Sequence, residues 1–268
     1  MNRAVQTDIE PPTPDRMRPL RYAIRVPLLL LLASITPPIA LLALNPVAAS
    51  IRIGDTSLDK FMIRWWSGRL VRVFGFRLRC FGETAPGAVL YVANHISWLD
   101  IVLMHGARPV SFVAKSEIEG WPFVGWLSVR SGTIFHRRGS TDSLALVMAR
   151  VVDTLRAGNP VGVFPEGGSG HGDKIGVFHA RIFQTALDAN VPVHPVALRY
   201  GRNGVQDLSV PFGRKESFFA NFLRVLGGPS MDAEVHYLEP VPATPDARRR
   251  MAEESRARIV QALGYGDA

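Results

Sequence analysis

The pattern of apolar and polar positions divides the chain into three predicted regions. Residues 1–19 are polar and rich in proline, which is typical of a disordered tail. Residues 20–75 contain a long apolar run at 26–49 and then an amphipathic stretch, and they predict a membrane-associated helical region. Residues 76–268 alternate short apolar runs with helical patterns, which predicts an α/β domain.

The apolar run at 26–49 is long enough to cross a bilayer, but Pro37-Pro38 interrupts it. Each half is too short to cross about 30 Å of hydrocarbon at roughly 1.5 Å per residue. Basic residues flank the run on both sides, so the positive-inside rule places both of its ends on the cytoplasmic side. We therefore expect a membrane-embedded helical hairpin, with a kinked single span and a buried core helix as the alternatives.

The amphipathic stretch at 58–74 has apolar residues at helical spacing and basic residues between them. Trp65 and Trp66 lie in this stretch, and paired tryptophans on a basic helix are typical of an interfacial membrane helix. The alternative is a helix that packs on its own domain. The apolar run just upstream favours the membrane.

Residues 76–268 predict a mixed, largely parallel sheet flanked by helices, because strand and helix patterns alternate. Strands are predicted at 77–81, 89–92, 110–114, 161–164, 193–198 and 235–238, and helices at 140–157, 180–189 and 246–263.

The strand predicted at 89–92 leads to His95, and Asp100 follows at the start of the next helix. An imidazole and a carboxylate at such a junction suit proton transfer, because the carboxylate orients the ring. Five residues of helix turn through roughly 140°, so the two side chains meet only if His95 precedes the helix. Ser97 as the N-cap gives that geometry. It also makes Ser97 and Asp100 a capping box, in which Asp100 only satisfies backbone amides, so both interpretations stay open.

The composition narrows the classes of function. A hydrophobic content of 47% is ordinary for a globular protein and excludes a polytopic membrane protein. The net charge of +8 favours an anionic partner, such as nucleic acid, an anionic membrane surface or a phosphorylated substrate. Cys80 is the only cysteine, which excludes an intrachain disulfide and a multi-cysteine metal site and indicates a reducing compartment.

Two further stretches follow predicted strands, where α/β domains bind ligands. Arg137 and Arg138 follow a short apolar strand and suit bidentate phosphate binding, although a solvated surface pair is the simpler alternative. Glu166 lies between Pro165 and Gly167 on a rigid-to-flexible turn, where it would contact a substrate hydroxyl or orient a neighbour. An ordinary strand-exit turn has the same composition.

The glycine-rich run at 167–174 lacks the sequences of a nucleophile elbow and of a P-loop, which disfavours a serine hydrolase and a nucleoside triphosphatase. His171 and His179 have no metal-ligand spacing, so no metal site is predicted.

Taken in order, these stretches resemble the glycerolipid acyltransferase family, specifically the bacterial 1-acyl-glycerol-3-phosphate acyltransferases. The motifs that carry the resemblance are Asn94-His95 with Asp100, Gly132 to Arg138, Phe164 to Gly167, and Val191-Pro192-Val193-His194-Pro195. Four motifs in the same order make it specific, and it covers residues 76–200. The chain departs from the family at Gly168, where threonine is usual, and at His136 and Arg137, which make the site more basic.

The resemblance implies transfer of an acyl chain from a thioester to a lysophospholipid hydroxyl. The expected acceptor is 1-acyl-glycerol-3-phosphate, which gives phosphatidate. His95 would be the general base and Asp100 would orient it. Substrate binding would fall to Arg138, Arg137, Lys115, Glu166, Gly167 and Asn94. No cofactor is implied beyond acyl-CoA or acyl carrier protein as the co-substrate.

The implied location is the bacterial inner membrane, with the catalytic domain on its cytoplasmic, anionic surface. Nucleic acid is not an expected partner, since it explains neither the apolar run nor the His95–Asp100 pair. Two alternatives remain. One is the same chemistry on lyso-ornithine lipid, which lacks the phosphate. The other is a non-catalytic membrane-surface protein that binds anionic lipid.

Overall fold

The computed structural model describes residues 15–121, 124–136, 141–244 and 247–265, with the side chains of residues 141 and 142 left aside. The α-helices are α1 (Arg18–Ala43), α2 (Pro46–Ser50), α3 (Leu58–Val73), α4 (Leu99–Ala107), α5 (Val124–Arg130), α6 (Thr141–Arg156), α7 (Gln184–Ala189), α8 (Phe218–Leu226) and α9 (Arg248–Leu263). The strands are β1 (Arg52–Ile53), β2 (Thr56–Ser57), β3 (Phe76–Phe81), β4 (Leu90–Ala93), β5 (Ser111–Lys115), β6 (Ile134–His136), β7 (Val161–Val163), β8 (Val193–Arg202), β9 (Val205–Gln206) and β10 (Met231–Tyr237).

Within the described residues, eight strands form one sheet in the order β3-β10-β8-β4-β7-β5-β6, with β9 paired to β8. Strands β8, β4, β7, β5 and β6 run parallel to one another. Strand β10 is antiparallel to β8 and parallel to β3. The predicted mixed, largely parallel sheet is confirmed.

The carboxyl ends of β4, β7, β5 and β6 lie along the same edge of the sheet, since these strands are parallel. His95 follows β4, and Glu166 follows β7. Lys115 ends β5, and His136 ends β6. The fold therefore gathers four of the chemically active side chains at the edge where open α/β sheets bind ligands.

Helices cover both faces of the sheet. On one face, α1, α3, α4 and α8 contribute to a core cluster that includes Tyr91 and Leu198. On the other face, α6, α7 and α9 pack over Leu90 and Val92. Strand β4 is therefore buried on both sides, which explains why its sequence is a continuous apolar run rather than an alternating one.

Helix α1 runs unbroken from Arg18 to Ala43 and contains Pro37 and Pro38, so the predicted hairpin within this run was wrong. Each proline removes a backbone donor at a cost of about 3 kcal/mol. The helix packs on α3 at this point, where Trp66 Nε1 donates to Thr36 Oγ1 at 2.6 Å. Within the described ranges, α1 is the one helix that has the length and apolar composition to cross a membrane.

Helix α3 has the predicted bounds and packs on its own domain. Ser67, Leu70 and Val71 are buried, and the helix contacts α1, α4 and β3. Phe61 on the same helix is exposed and Trp65 is half-buried. The packing matches the alternative that the sequence left open, and the interfacial role of this helix stays a prediction.

The first turns of α1 are fixed to the end of α8. The buried Arg25 donates to the carbonyls of Leu226 and Gly228, each at 2.8 Å. A guanidinium at a helix C-terminus satisfies free carbonyls and complements the helix dipole. Helix α1 is thus packed on the domain at its start and, through Trp66, near its middle.

Candidate active site

Asp100 is fully buried and organises the turn between β4 and α4. Its Oδ2 lies 2.8 Å from His95 Nδ1. The same oxygen accepts the backbone N–H of Ile96 at 2.6 Å and of Ser97 at 2.9 Å. One carboxylate oxygen therefore satisfies the amides of the turn and holds the imidazole. The two interpretations of the sequence pattern describe the same arrangement.

The predicted N-cap at Ser97 was wrong. Helix α4 begins at Leu99, its N-cap position is Trp98, and no side chain caps it. Ser97 Oγ lies 3.4 Å from the Leu99 nitrogen, at the limit of a hydrogen bond. The Asp100 carboxylate accepts the amides of Ile96 and Ser97, which precede the helix, and does not replace a side-chain cap of the first helical turn.

Tyr200 on β8 completes the contacts of Asp100. Its hydroxyl donates to Asp100 Oδ1 at 2.7 Å, and the side chain is buried. Burial, and then the charge of Asp100, raise the pKa of this hydroxyl well above its ordinary value, so it stays protonated as a donor. No local pattern predicts this contact, because Tyr200 is far from Asp100 along the chain and lies just past the strand predicted at 193–198.

The His95 ring is held flat against the core. It stacks on Phe164 with 4.1 Å between ring centroids and 16° between planes. Phe164 in turn stacks on the buried Phe112 at 5.6 Å. The His95 side chain keeps 18% of its surface exposed. Since Nδ1 faces Asp100, Nε2 is the nitrogen left to exchange a proton with a substrate.

Glu166 braces the site through the backbone. Its Oε1 accepts the N–H of His95 at 2.8 Å, and its Oε2 accepts the N–H of Gly176 at 2.7 Å. Burial raises the pKa of this carboxyl, while the two backbone hydrogen bonds act in the opposite direction. Gly167 follows with φ of +74°, a conformation that favours glycine. The described contacts of Glu166 therefore join two loops, and its contact with an acceptor stays a prediction.

Asn94 is buried, and its amide is used inside the protein. Its Nδ2 donates to the Leu198 carbonyl at 3.0 Å, and its Oδ1 accepts the Leu198 N–H at 2.8 Å. This pair of bonds extends the pairing of β4 with β8 up to His95. The predicted contact between Asn94 and substrate stays a prediction, and the described contacts of its side chain are to the neighbouring strand.

Of the basic side chains predicted to bind substrate, Lys115 lies within the described residues. Lys115 is exposed and lies opposite His136 in the register of β5 and β6. Arg137 and Arg138 lie outside the described residues. Within the described ranges, no three His, Cys, Asp or Glu side chains are grouped as metal ligands.

Three comparisons bear on this site. Residues 77–199 match the family model described as "Acyltransferase". The chain is 37% identical to the lyso-ornithine lipid O-acyltransferase of Pseudomonas aeruginosa over 80% of its own length and 82% of that protein. It is 43% identical to the 1-acyl-sn-glycerol-3-phosphate acyltransferase of Neisseria gonorrhoeae over 43% of its length and 45% of that protein.

The fold is similar to that of a solved acyltransferase structure. The 1-acyl-sn-glycerophosphate acyltransferase of Thermotoga maritima superposes with a TM-score of 0.66 at 20% sequence identity, over 94% of this chain and all (100%) of that one. At this identity the likeness concerns the α/β architecture and its N-terminal helical region.

Proposed function

The chain belongs to the lysophospholipid acyltransferase family, and from this premise we propose that it acylates the free hydroxyl of lyso-ornithine lipid. It is an acyltransferase of a lysolipid acceptor. The choice of acceptor is supported by the 37% identity to the P. aeruginosa lyso-ornithine lipid enzyme, since that match extends over 80% of the chain. The acceptor that the motifs gave as an alternative is thus preferred to 1-acyl-glycerol-3-phosphate.

The phosphate-bearing acceptor is the second candidate. The 43% identity to the N. gonorrhoeae enzyme favours it, although that match extends over only 43% of the chain. Arg137 and Arg138, which the sequence predicts to bind the acceptor, also suit a phosphate group. The two acceptors require the same reaction and differ in the head group that the site must bind.

The proposed mechanism follows from the hydrogen bonds of His95. Its Nδ1–H is held by the Asp100 carboxylate at 2.8 Å, so Nε2 accepts the proton of the acceptor hydroxyl. The resulting alkoxide attacks the thioester carbonyl and forms a tetrahedral intermediate. Its collapse breaks the C–S bond, and the thiolate leaves with the proton from Nε2. Asp100 stabilises the imidazolium between these two steps.

Glu166 acts in this proposal as a brace for the base. It holds the His95 N–H, and the Gly170 N–H donates to the His95 carbonyl at 2.7 Å. The backbone of His95 is therefore fixed from both sides by the loop that follows β7. Such fixation keeps the base in a geometry that suits attack.

We further propose that α1 attaches the enzyme to the cytoplasmic face of the inner membrane. One side of α1 packs on the domain, while Leu28, Leu31 and Leu42 on its other side are exposed. Exposed leucines along a long apolar helix suit a bilayer. Flotation with lipid vesicles tests this attachment, and the double substitution Leu28→Lys and Leu31→Lys should weaken it if the proposal holds.

The acceptor is tested with purified chain in detergent and one labelled acyl thioester. The kcat/KM for lyso-ornithine lipid should exceed that for 1-acyl-glycerol-3-phosphate by about tenfold or more, as expected where a site binds one polar head group and not the other. His95→Ala should abolish transfer to both acceptors. A preference for the phosphate-bearing acceptor would support the second candidate. Lipid binding without turnover on any acceptor would instead support the non-catalytic membrane-surface protein.

A further inference from the structure

The Asp100 carboxylate receives hydrogen bonds from two separate parts of the chain. Its Oδ2 is held by groups of its own turn, namely His95, Ile96 and Ser97. Its Oδ1 is held by the hydroxyl of Tyr200 at 2.7 Å, from strand β8. The tyrosine thus fixes the oxygen that the turn itself leaves unused.

The Tyr200 hydroxyl cannot easily move away from this position. The side chain is 1% exposed, and its ring packs edge-to-face on Phe76 with 5.4 Å between centroids. Residues on either side of it belong to the long strand β8, which pairs with β10. A hydroxyl held this firmly keeps the plane of the carboxylate fixed, and therefore keeps Oδ2 directed at the imidazole.

The hydroxyl also affects the charge of the carboxylate. A hydrogen bond to an ionised carboxylate stabilises its charge and makes the oxygen atoms weaker bases. If the donor is removed, the negative charge is concentrated on the oxygen that faces His95. The imidazolium is then stabilised more strongly, and His95 needs a higher pH to become a free base.

We propose that Tyr200 is a positioning residue of the acyltransferase, which acts through Asp100 to hold the His95 ring and to set the pH at which it becomes a base. This inference rests on the proposed role of His95 as the general base. Tyr200 itself does not touch the substrate.

The test compares Tyr200→Phe with Tyr91→Phe. Tyr91 is a fully buried tyrosine of β4 whose ring faces His194 and Tyr237, away from the His95–Asp100 pair. We expect Tyr200→Phe to lower kcat by about tenfold, which is what a hydrogen bond to a charged group is worth at its weaker end. The acidic limb of the kcat/KM profile should move to higher pH. Tyr91→Phe should leave this limb in place.

A second variant covers the case in which Tyr200→Phe does not fold. Replacing Tyr200 by 3-fluorotyrosine retains the shape and makes the hydroxyl a stronger donor, so the acidic limb should move to lower pH. NMR titration of the ring-labelled His95 imidazole, measured with no lysolipid present, should move to higher pH in Tyr200→Phe and to lower pH with 3-fluorotyrosine. The proposal would be overturned if neither variant shifted the acidic limb of the kcat/KM profile or the titration of the His95 imidazole. If the unmodified enzyme showed no acyl transfer, or if transfer survived His95→Ala, the proposed function would be overturned instead.

Discussion

The two ends of helix α4 place a histidine in opposite surroundings. Before its start, His95 has a buried carboxylate at 2.8 Å and keeps 18% of its side chain exposed. In its last turn, His105 is buried beside Phe112, and its Nδ1 has no hydrogen-bond partner among the described residues. Burial lowers the pKa of His105 to about 4. A histidine becomes a usable base through a carboxylate partner and a path to solvent, whereas burial alone keeps it neutral.

The largest effect should come from removing the charge of the carboxylate at the start of α4. In Asp100→Asn, a neutral amide no longer stabilises the imidazolium, and we expect kcat to fall by about a thousandfold. The measurement is acyl transfer at saturating donor, with the fold checked by circular dichroism. A rate near that of the unmodified enzyme would mean that Asp100 serves only the amides of its turn.

Asp232→Asn is the matched control for this substitution. Asp232 is a buried carboxylate of β10 that pairs with Arg77 at 2.8 Å and with Arg79 at 3.1 Å. The substitution Asp232→Asn also replaces a carboxylate by an amide, but it leaves the His95–Asp100 pair unchanged. We expect some loss of stability and an unchanged kcat.

Several strands of the sheet and the His95–Asp100 pair were predictable from the local sequence. Apolar runs predicted the parallel strands β4, β5, β7 and β8, because buried parallel strands require them, and these strands lie where they were expected. The edge strand β3 also lies where it was predicted. Helix geometry showed that His95 and Asp100 can meet only if His95 precedes the helix, and the accompanying motifs favoured that arrangement over a simple capping box. Local patterns suffice where the partners are a few residues apart.

Partners that are distant along the chain were not predictable. Tyr200 meets Asp100 only because β8 pairs with β4, and no local pattern records that register. Helix α1 continues past Pro37 and packs there on Trp66 of another helix, so the local rule for proline gave the wrong result. Helix α8 is a different case: it was missed although Ser217 caps its start and its apolar residues recur at helical spacing.

His105, at the other end of α4, should make the free energy of unfolding depend on pH in acid. In the unfolded chain the imidazole of His105 titrates near 6.5, and in the folded chain near 4. Between these values the unfolded state binds more protons, so stability is fully present above pH 6.5 and is lost as the pH falls through 4. The difference corresponds to on the order of 3 kcal/mol.

His105→Leu removes this dependence, and denaturant unfolding at several pH values measures it. The free energy of unfolding of the variant should fall less steeply than that of the unmodified enzyme between pH 6.5 and 4. Acyl transfer at neutral pH should stay within about twofold, because the ring takes no part in the proton transfer. An unchanged slope would show that the His105 imidazole is not held neutral by burial. Lost transfer would mean that both ends of α4 serve the reaction.

The smallest effect concerns Ser97, the first of the two residues of the predicted capping box. A serine N-cap is worth about 1 kcal/mol, and Ser217 is such a cap, since it accepts the Ala220 N–H at 3.2 Å at the start of α8. Ser97 Oγ is 3.4 Å from the Leu99 amide nitrogen, and the Asp100 carboxylate holds the turn. We therefore expect Ser97→Ala to lower the free energy of unfolding by less than about 0.5 kcal/mol, and Ser217→Ala by about 1 kcal/mol, in parallel denaturant titrations. Equal losses would restore Ser97 as the cap. The start of α4 would then owe its geometry to the serine as much as to the carboxylate that holds His95.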